Sequence, residues 1–212
     1  MARSSHTMSA MAVWLAMAVL LLNAVAHIDA QDAPPDVSIE GVTFEGTGCD
    51  ESNTVHDVSV DKKAVTFMFR NFTAILGIRH ESYCHIQLKL QSTNGWELVS
   101  AETIGRGFAD LGDLVVGSHR LTSYISGLTR KSKASKSTTQ IRGPFTDDYE
   151  VSEHFEQLGY GVMAKSARTC LEPNAVNIKS FLKVKGPKGA KGVMSVDSTD
   201  TQVAIKLVWR RC

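Results

Sequence analysis

Apolar and polar residues alternate with a period of two through much of the chain. Val65, Phe67 and Phe69 share one parity, set against Thr66, Met68 and Arg70. Ile86, Leu88 and Leu90 alternate with His85, Gln87 and Lys89, and Val203, Ile205, Leu207 and Trp209 oppose Ala204, Lys206 and Arg210. Successive side chains on a strand point to opposite faces, so this pattern predicts half-buried strands with one face on a core. The same reading places strands at Val37–Phe44, Val55–Val60, Trp96–Ser100, Thr103–Phe108, His119–Ser126, Tyr149–Phe155, Val176–Val184 and Val193–Val196. Turn residues separate many of them: Asp61-Lys62-Lys63, Thr93-Asn94-Gly95, Gly143-Pro144, Gly186-Pro187-Lys188-Gly189 and Asp197-Ser198-Thr199-Asp200. Short strands at this spacing predict an all-β fold, an antiparallel β-sandwich of jelly-roll-like or Greek-key type with long loops. Helix is scarce. The best candidate, over Phe155–Ala167, is interrupted by Gly159 and Gly161.

Two stretches break the pattern. Continuing the Val65 parity puts Asn71 on the core face, after which Phe72, Ala74 and Leu76 take the opposite phase. A bulge or tight bend at Arg70-Asn71 resolves this, since one inserted residue flips every later side chain. It also turns Asn71 outward, as the sequon Asn71-Phe72-Thr73 needs if it is to carry a glycan. The second stretch, Arg130–Gln140, has no large apolar side chain and reads as a mobile basic loop. With the basic turn Lys183–Lys191 it suggests either solvated hairpin tips or a surface for acidic polysaccharide or lipid headgroups.

The first thirty residues differ in kind. Arg3 gives a positive start, Met11–Leu22 is apolar throughout, and small residues follow at Ala24-Val25-Ala26 and again at Ala30. That is the layout of a secretory signal peptide over 1–30, cleaved after Ala26 or Ala30, and it leaves a single domain over 31–212. The apolar run falls short of the roughly 20 residues a membrane span needs. No other segment is apolar enough, so no membrane span is expected after cleavage and the protein is expected outside the cell. Lys and Arg number 23 and Asp and Glu 22. Such a balance argues against a nucleic-acid partner, which calls for a strong positive excess.

Cys49, Cys84, Cys170 and Cys212 all lie beyond the leader. An even count in an exported chain predicts disulfides. Four cysteines allow three pairings, which the sequence does not separate. Cys49–Cys84 with Cys170–Cys212 is favoured because it closes two non-overlapping loops of similar size. A metal site is not expected, since no Cys-x-x-Cys pair is present.

Candidate chemistry is sparse. Glu150, Ser152 and His154 share a strand face, yet neighbours two apart rise about 6.6–6.8 Å, too far for a working triad. His80 and His85 flank Cys84 at an odd spacing that points them to opposite faces. Asp110 and Asp113, in the segment Ala109–Leu114, and Asp197 and Asp200 read as turn carboxylates rather than calcium ligands or a glycosidase pair. Arg106 followed by Gly107 reads as a buried or packed arginine that organises the sheet rather than a substrate clamp. Trp96 and Trp209 read as core-facing, and Tyr83, Tyr124, Tyr149 and Tyr160 are left unassigned.

The ensemble of Gly46-Thr47-Gly48-Cys49, Cys84 with its alternating strand, Gly95-Trp96, Arg106-Gly107-Phe108-Ala109-x-Leu111, Gly143-Pro144 and Trp209-x-x-Cys212 resembles the secreted domain of unknown function 4360 family. The resemblance runs from about Val37 to Cys212. It implies a secreted, mainly β domain with this cysteine layout and brings no activity with it. A tryptophan expected before the third cysteine is missing from Ala164–Leu171. The functional expectation is a non-enzymatic extracellular binding or structural domain without cofactor or metal, whose partner is a polysaccharide or an extracellular protein. The alternatives are a carbohydrate-active hydrolase with carboxylates assembled by the fold, and a secreted effector that binds another protein.

Overall fold

The computed structural model describes residues 38–60, 64–91, 96–126, 134–156, 175–196 and 203–211. These form β1 Ser38–Gly46, β2 Thr54–Val58, β3 Ala64–Phe69, β4 Thr73–Ile75, β5 Glu81–Gln91 and β6 Trp96–Leu111, followed by β7 Val116–Ser126, β8 Ser135–Arg142, β9 Phe145–Glu156, β10 Ala175–Lys185, β11 Gly192–Ser195 and β12 Val203–Arg211. No helix occurs among the described residues. Phe155, the first residue of the candidate helix, is instead the penultimate residue of β9. Its burial follows the in-out alternation of Val151 and Glu153, which a helical turn would break. The rest of that candidate helix lies outside the described residues.

Two antiparallel sheets pack face to face. The first has the order β1-β5-β10-β7-β8. In the second, β9 follows one edge of β6 from Ser100 to Leu111, while β12 and β11 lie end to end along its other edge. β3 and β4 lie end to end in the next rank, outside β12 and β11, and β2 borders β3. The second sheet is therefore also five ranks wide. Most neighbours are not consecutive in the chain, so the chain crosses repeatedly between layers, as jelly-roll and Greek-key sandwiches both do. Inward parities of both sheets meet in one core that includes Phe67, Ile86, Leu88, Ile178, Leu182 and Ile205.

Three local readings change. Trp96–Ser100 and Thr103–Phe108 are one strand, β6. Val208 pairs with Ser100 and Trp209 with Leu98, so Val99 is an inserted residue that shifts the phase and made one strand read as two. Ser135–Gln140, read as loop, belongs to strand β8. Its inward residues are small hydroxyl side chains, two of which bond the edge of β9: Thr139 Oγ1 donates to the Glu150 carbonyl at 3.1 Å and Ser135 Oγ to that of His154 at 2.9 Å. Side chain-to-backbone bonds thus replace apolar contact there, and a search for apolar alternation finds nothing. Ala109–Leu111, read as loop, finishes β6.

β3 ends at Phe69 and the chain bends at Arg70-Asn71 before β4. Asn71 is exposed there, and its Oδ1 accepts from Arg79 Nη2 at 3.3 Å. Cys49 is bonded to Cys84, and both are buried. Gly46 and Gly48 let the chain leaving β1 press against its neighbours. A Cβ would stand 2.1 Å from the Tyr83 carbonyl oxygen at Gly46 and 2.1 Å from the Phe72 ring at Gly48. Cys170 and Cys212 lie outside the described residues.

Candidate functional site

The outward parity of the first sheet is lined up by register. Glu45 pairs with His85, His85 with Lys179, Lys179 with Thr122 and Thr122 with Lys136. One row of side chains thus crosses all five strands, a span of about 19 Å at the usual inter-strand spacing. The next row places Tyr83 beside Phe181 and Phe181 beside Arg120. The two rows line a groove of about 410 Å³, within the range of small-molecule and cofactor sites.

The groove is chemically mixed and held in place. Arg120 lies over the Phe181 ring at 4.8 Å, and Lys179 over the Tyr124 ring at 5.5 Å. Each ring attracts its cation without cancelling the charge. His85 Nε2 contacts Asn177 Oδ1 at 3.1 Å, and Gln87 Nε2 donates to the same oxygen at 3.3 Å. Asn177 Nδ2 donates in turn to Ser126 Oγ at 3.0 Å. Glu45, on the edge strand β1, stands 3.9 Å from His85 Nδ1. Tyr83, in the groove lining, is 44% exposed.

A family model of the domain of unknown function DUF4360 matches residues 35–212. The chain belongs to the DUF4360 family. An uncharacterized secreted protein of Arthroderma benhamiae is 27% identical over 187 residues, covering 84% of this chain and 73% of the relative. The DUF4360 protein described here is likewise secreted. Among solved structures, it is similar to a Clostridium thermocellum xylanase 10B fragment with CBM22-1 and GH10 modules in complex with xylohexaose. That match is 10% identical with a TM-score of 0.28 and covers 82% of this chain and 27% of the other. A second match, a structure concerned with carbohydrate-binding modules of the β-sandwich superfamily, is 11% identical with a TM-score of 0.28 and covers 86% of this chain and 62% of the other. The chain therefore spans less than two thirds of either structure. Likeness at this level says nothing about what the DUF4360 protein binds.

The residues singled out in the sequence fall elsewhere in the DUF4360 fold. Arg106 is not buried: it projects from β6 on the outside of the second sheet, and its Nε donates to Glu150 at 2.9 Å across the β6–β9 register. An outward parity at position 106 follows from Gly105 and Gly107 pointing in. Asp110 also lies on β6 rather than in a turn and accepts from Thr146 Oγ1 at 3.0 Å. Asp113 is in the turn beyond. Ser152 and His154 share the exposed face of β9 with Glu150, and His154 faces Glu156 at 3.3 Å. Trp209 is buried in the core, Tyr149 is buried and Tyr124 is half-buried. The side chain of Trp96, and Tyr160, Asp197 and Asp200 altogether, lie outside the description. Among the described residues, no three His, Cys, Asp or Glu side chains gather as a metal site. No described helix is long and apolar enough to cross a membrane.

Gly107 has a packing role. A Cβ there would stand 2.2 Å from the Ser195 carbonyl oxygen and 2.5 Å from the Tyr149 hydroxyl, which itself bonds that carbonyl at 3.3 Å. Gly107→Ala is expected to cost about 1–3 kcal/mol by overpacking, measured as a shift of the urea midpoint. An unchanged midpoint would show that both the Ser195 backbone and the Tyr149 ring give way freely.

The groove residues Tyr83, Arg120, Lys179 and Phe181 escaped sequence reasoning. Their outward parity was legible on each strand alone. Which of them stand side by side depends on the pairing of β5, β10 and β7, and those strands are far apart in the chain.

Proposed function

We propose that this secreted protein is a non-enzymatic binding domain that takes extracellular polysaccharide across the outer face of its first sheet. The observation that carries this reading is the pair of aligned rows, in which the exposed Tyr83 stands one row from His85, which a hydrogen bond to Asn177 holds in place. Sugars present apolar C–H faces and hydroxyl rims. A ring such as Tyr83 suits the former, and imidazole and amide groups such as His85 and Gln87 suit the latter. The Asn177 network holds those groups before any ligand arrives, so less freedom is lost on binding. Among the described lining residues Glu45 is the sole carboxylate, and its side chain is 81% exposed. Hydrolysis of a glycosidic bond ordinarily requires two carboxyl groups roughly 5–9.5 Å apart, so binding without cleavage suits this groove better.

Affinity electrophoresis in gels containing soluble polysaccharides tests the proposal. Retardation by at least one polysaccharide is expected, weakened about tenfold in affinity by Tyr83→Ala because a stacking surface is lost. Thermal midpoints should stay unchanged, since Tyr83 is outside the core. No retardation by any polysaccharide, or full retardation of the variant, would refute the proposal.

A further inference from the structure

The charges balance over the whole chain but not over its two faces. The outer side of β6 and β9 carries Glu102, Asp110, Asp148, Glu150 and Glu156 against one Arg or Lys, Arg106. The groove on the opposite sheet gathers Arg120, Lys136 and Lys179 around one exposed acid, Glu45. Among the described residues, none of these three cations is in an ion pair; the pairs engage Arg106, Lys183, His85 and His154. Nor does any of the three side chains have a hydrogen-bond partner among the described residues. Arg120 and Lys179 rest on rings, which fixes their positions while leaving their N–H groups for an outside acceptor.

We infer that the groove binds an acidic polysaccharide of the polyuronate class, with Arg120 and Lys179 receiving sugar carboxylates and Lys136 adding charge at the β8 edge. This rests on the carbohydrate reading above and adds the chemistry of the sugar. A guanidinium presents a planar fork matched to a carboxylate, and its bidentate bonds are stronger than those to a hydroxyl. Lys179 and Arg120 lie on neighbouring strands one row apart, so acids on a linear polymer running across the strands meet both.

The test titrates the secreted protein with polygalacturonate, with the same polymer fully methyl-esterified, with a neutral β-glucan and with dextran sulfate, followed by calorimetry at two salt concentrations. The expected result is binding to polygalacturonate that weakens with salt and is lost on esterification, with dextran sulfate the poorer ligand. Arg120→Gln and Lys179→Met are each expected to lower affinity about tenfold, the scale of one hydrogen bond to a charged group. Lys179→Arg should retain binding, and Arg106→Gln on the opposite face should leave it unchanged. Equal binding of acid and ester, or of β-glucan, would overturn the polyuronate inference and leave the carbohydrate reading standing. Tighter binding to dextran sulfate would overturn it by showing a response to charge density alone. Binding to none of the four, by a protein with a normal thermal midpoint, would overturn the inference. Loss of the carbohydrate reading as well would then require that no polysaccharide retards the protein in the gel panel.

Discussion

Replacing Cys49 and Cys84 together by alanine is expected to lower the free energy of unfolding by about 3–4 kcal/mol. The bridge spans a sequence separation of 35, and in the chain-entropy account it acts by limiting the unfolded chain. It ties the chain leaving β1 to the first half of β5, next to Tyr83 and His85, which makes it a support for the groove as well as for the domain. Both cysteines are 1% exposed, so truncation also removes core contacts. Urea unfolding of wild type and double variant measures the loss. A difference below about 1 kcal/mol would mean that this loop is already ordered in the unfolded state. If the variant stays folded, its polysaccharide affinity should fall as well, because the edge of the platform gains freedom.

Acidification below pH 6.5 is expected to destabilise the protein through His119. This imidazole is wholly buried on β7, with Nε2 2.7 Å from Ser180 Oγ on β10 and the Tyr149 ring edge-on at 5.7 Å. Burial disfavours the charged ring and lowers its pKa from the usual 6.5 to about 3. Between those values the unfolded chain binds a proton that the folded protein refuses, so stability falls as pH falls. The stability this group confers is complete above about pH 6.5 and is lost progressively toward the folded pKa. The loss approaches about 1.4 kcal/mol per pH unit and amounts to roughly 2 kcal/mol at pH 5. Urea midpoints at pH 5, 6, 7 and 8 should show this slope in wild type. His119→Gln should remove about one proton's worth of it, whatever the variant's overall stability. Parallel pH curves for the two proteins would refute the assignment. Arg120 and Phe181 adjoin His119 and Ser180 along their strands, so the same acidification loosens the groove.

Strand existence and the inward or outward parity of most positions could be read from the sequence, because a strand face is set by neighbours two apart. Burial of Phe67, Ile86, Leu88 and Ile205 follows directly from that local rule. So does the outward turn at Asn71, where a break in phase marks the bend. The cysteines and the order of short motifs were enough to indicate a secreted disulfide-bonded β domain of the DUF4360 type.

Tertiary structure decided the rest, because pairing between distant strands is a global outcome. Register alone brings Glu45, His85, Lys179, Thr122 and Lys136 into one row, although they come from five strands. Layering alone sorts a balanced set of charges into an acidic face and a cationic groove. β8 lacked an apolar signal because its inward positions 135, 137 and 139 carry small hydroxyl side chains, while backbone pairing with β7 holds the strand in place. Arg106 is paired at the surface because Gly105 and Gly107 claim the interior for His119 and Tyr149, a competition for space that no local pattern records.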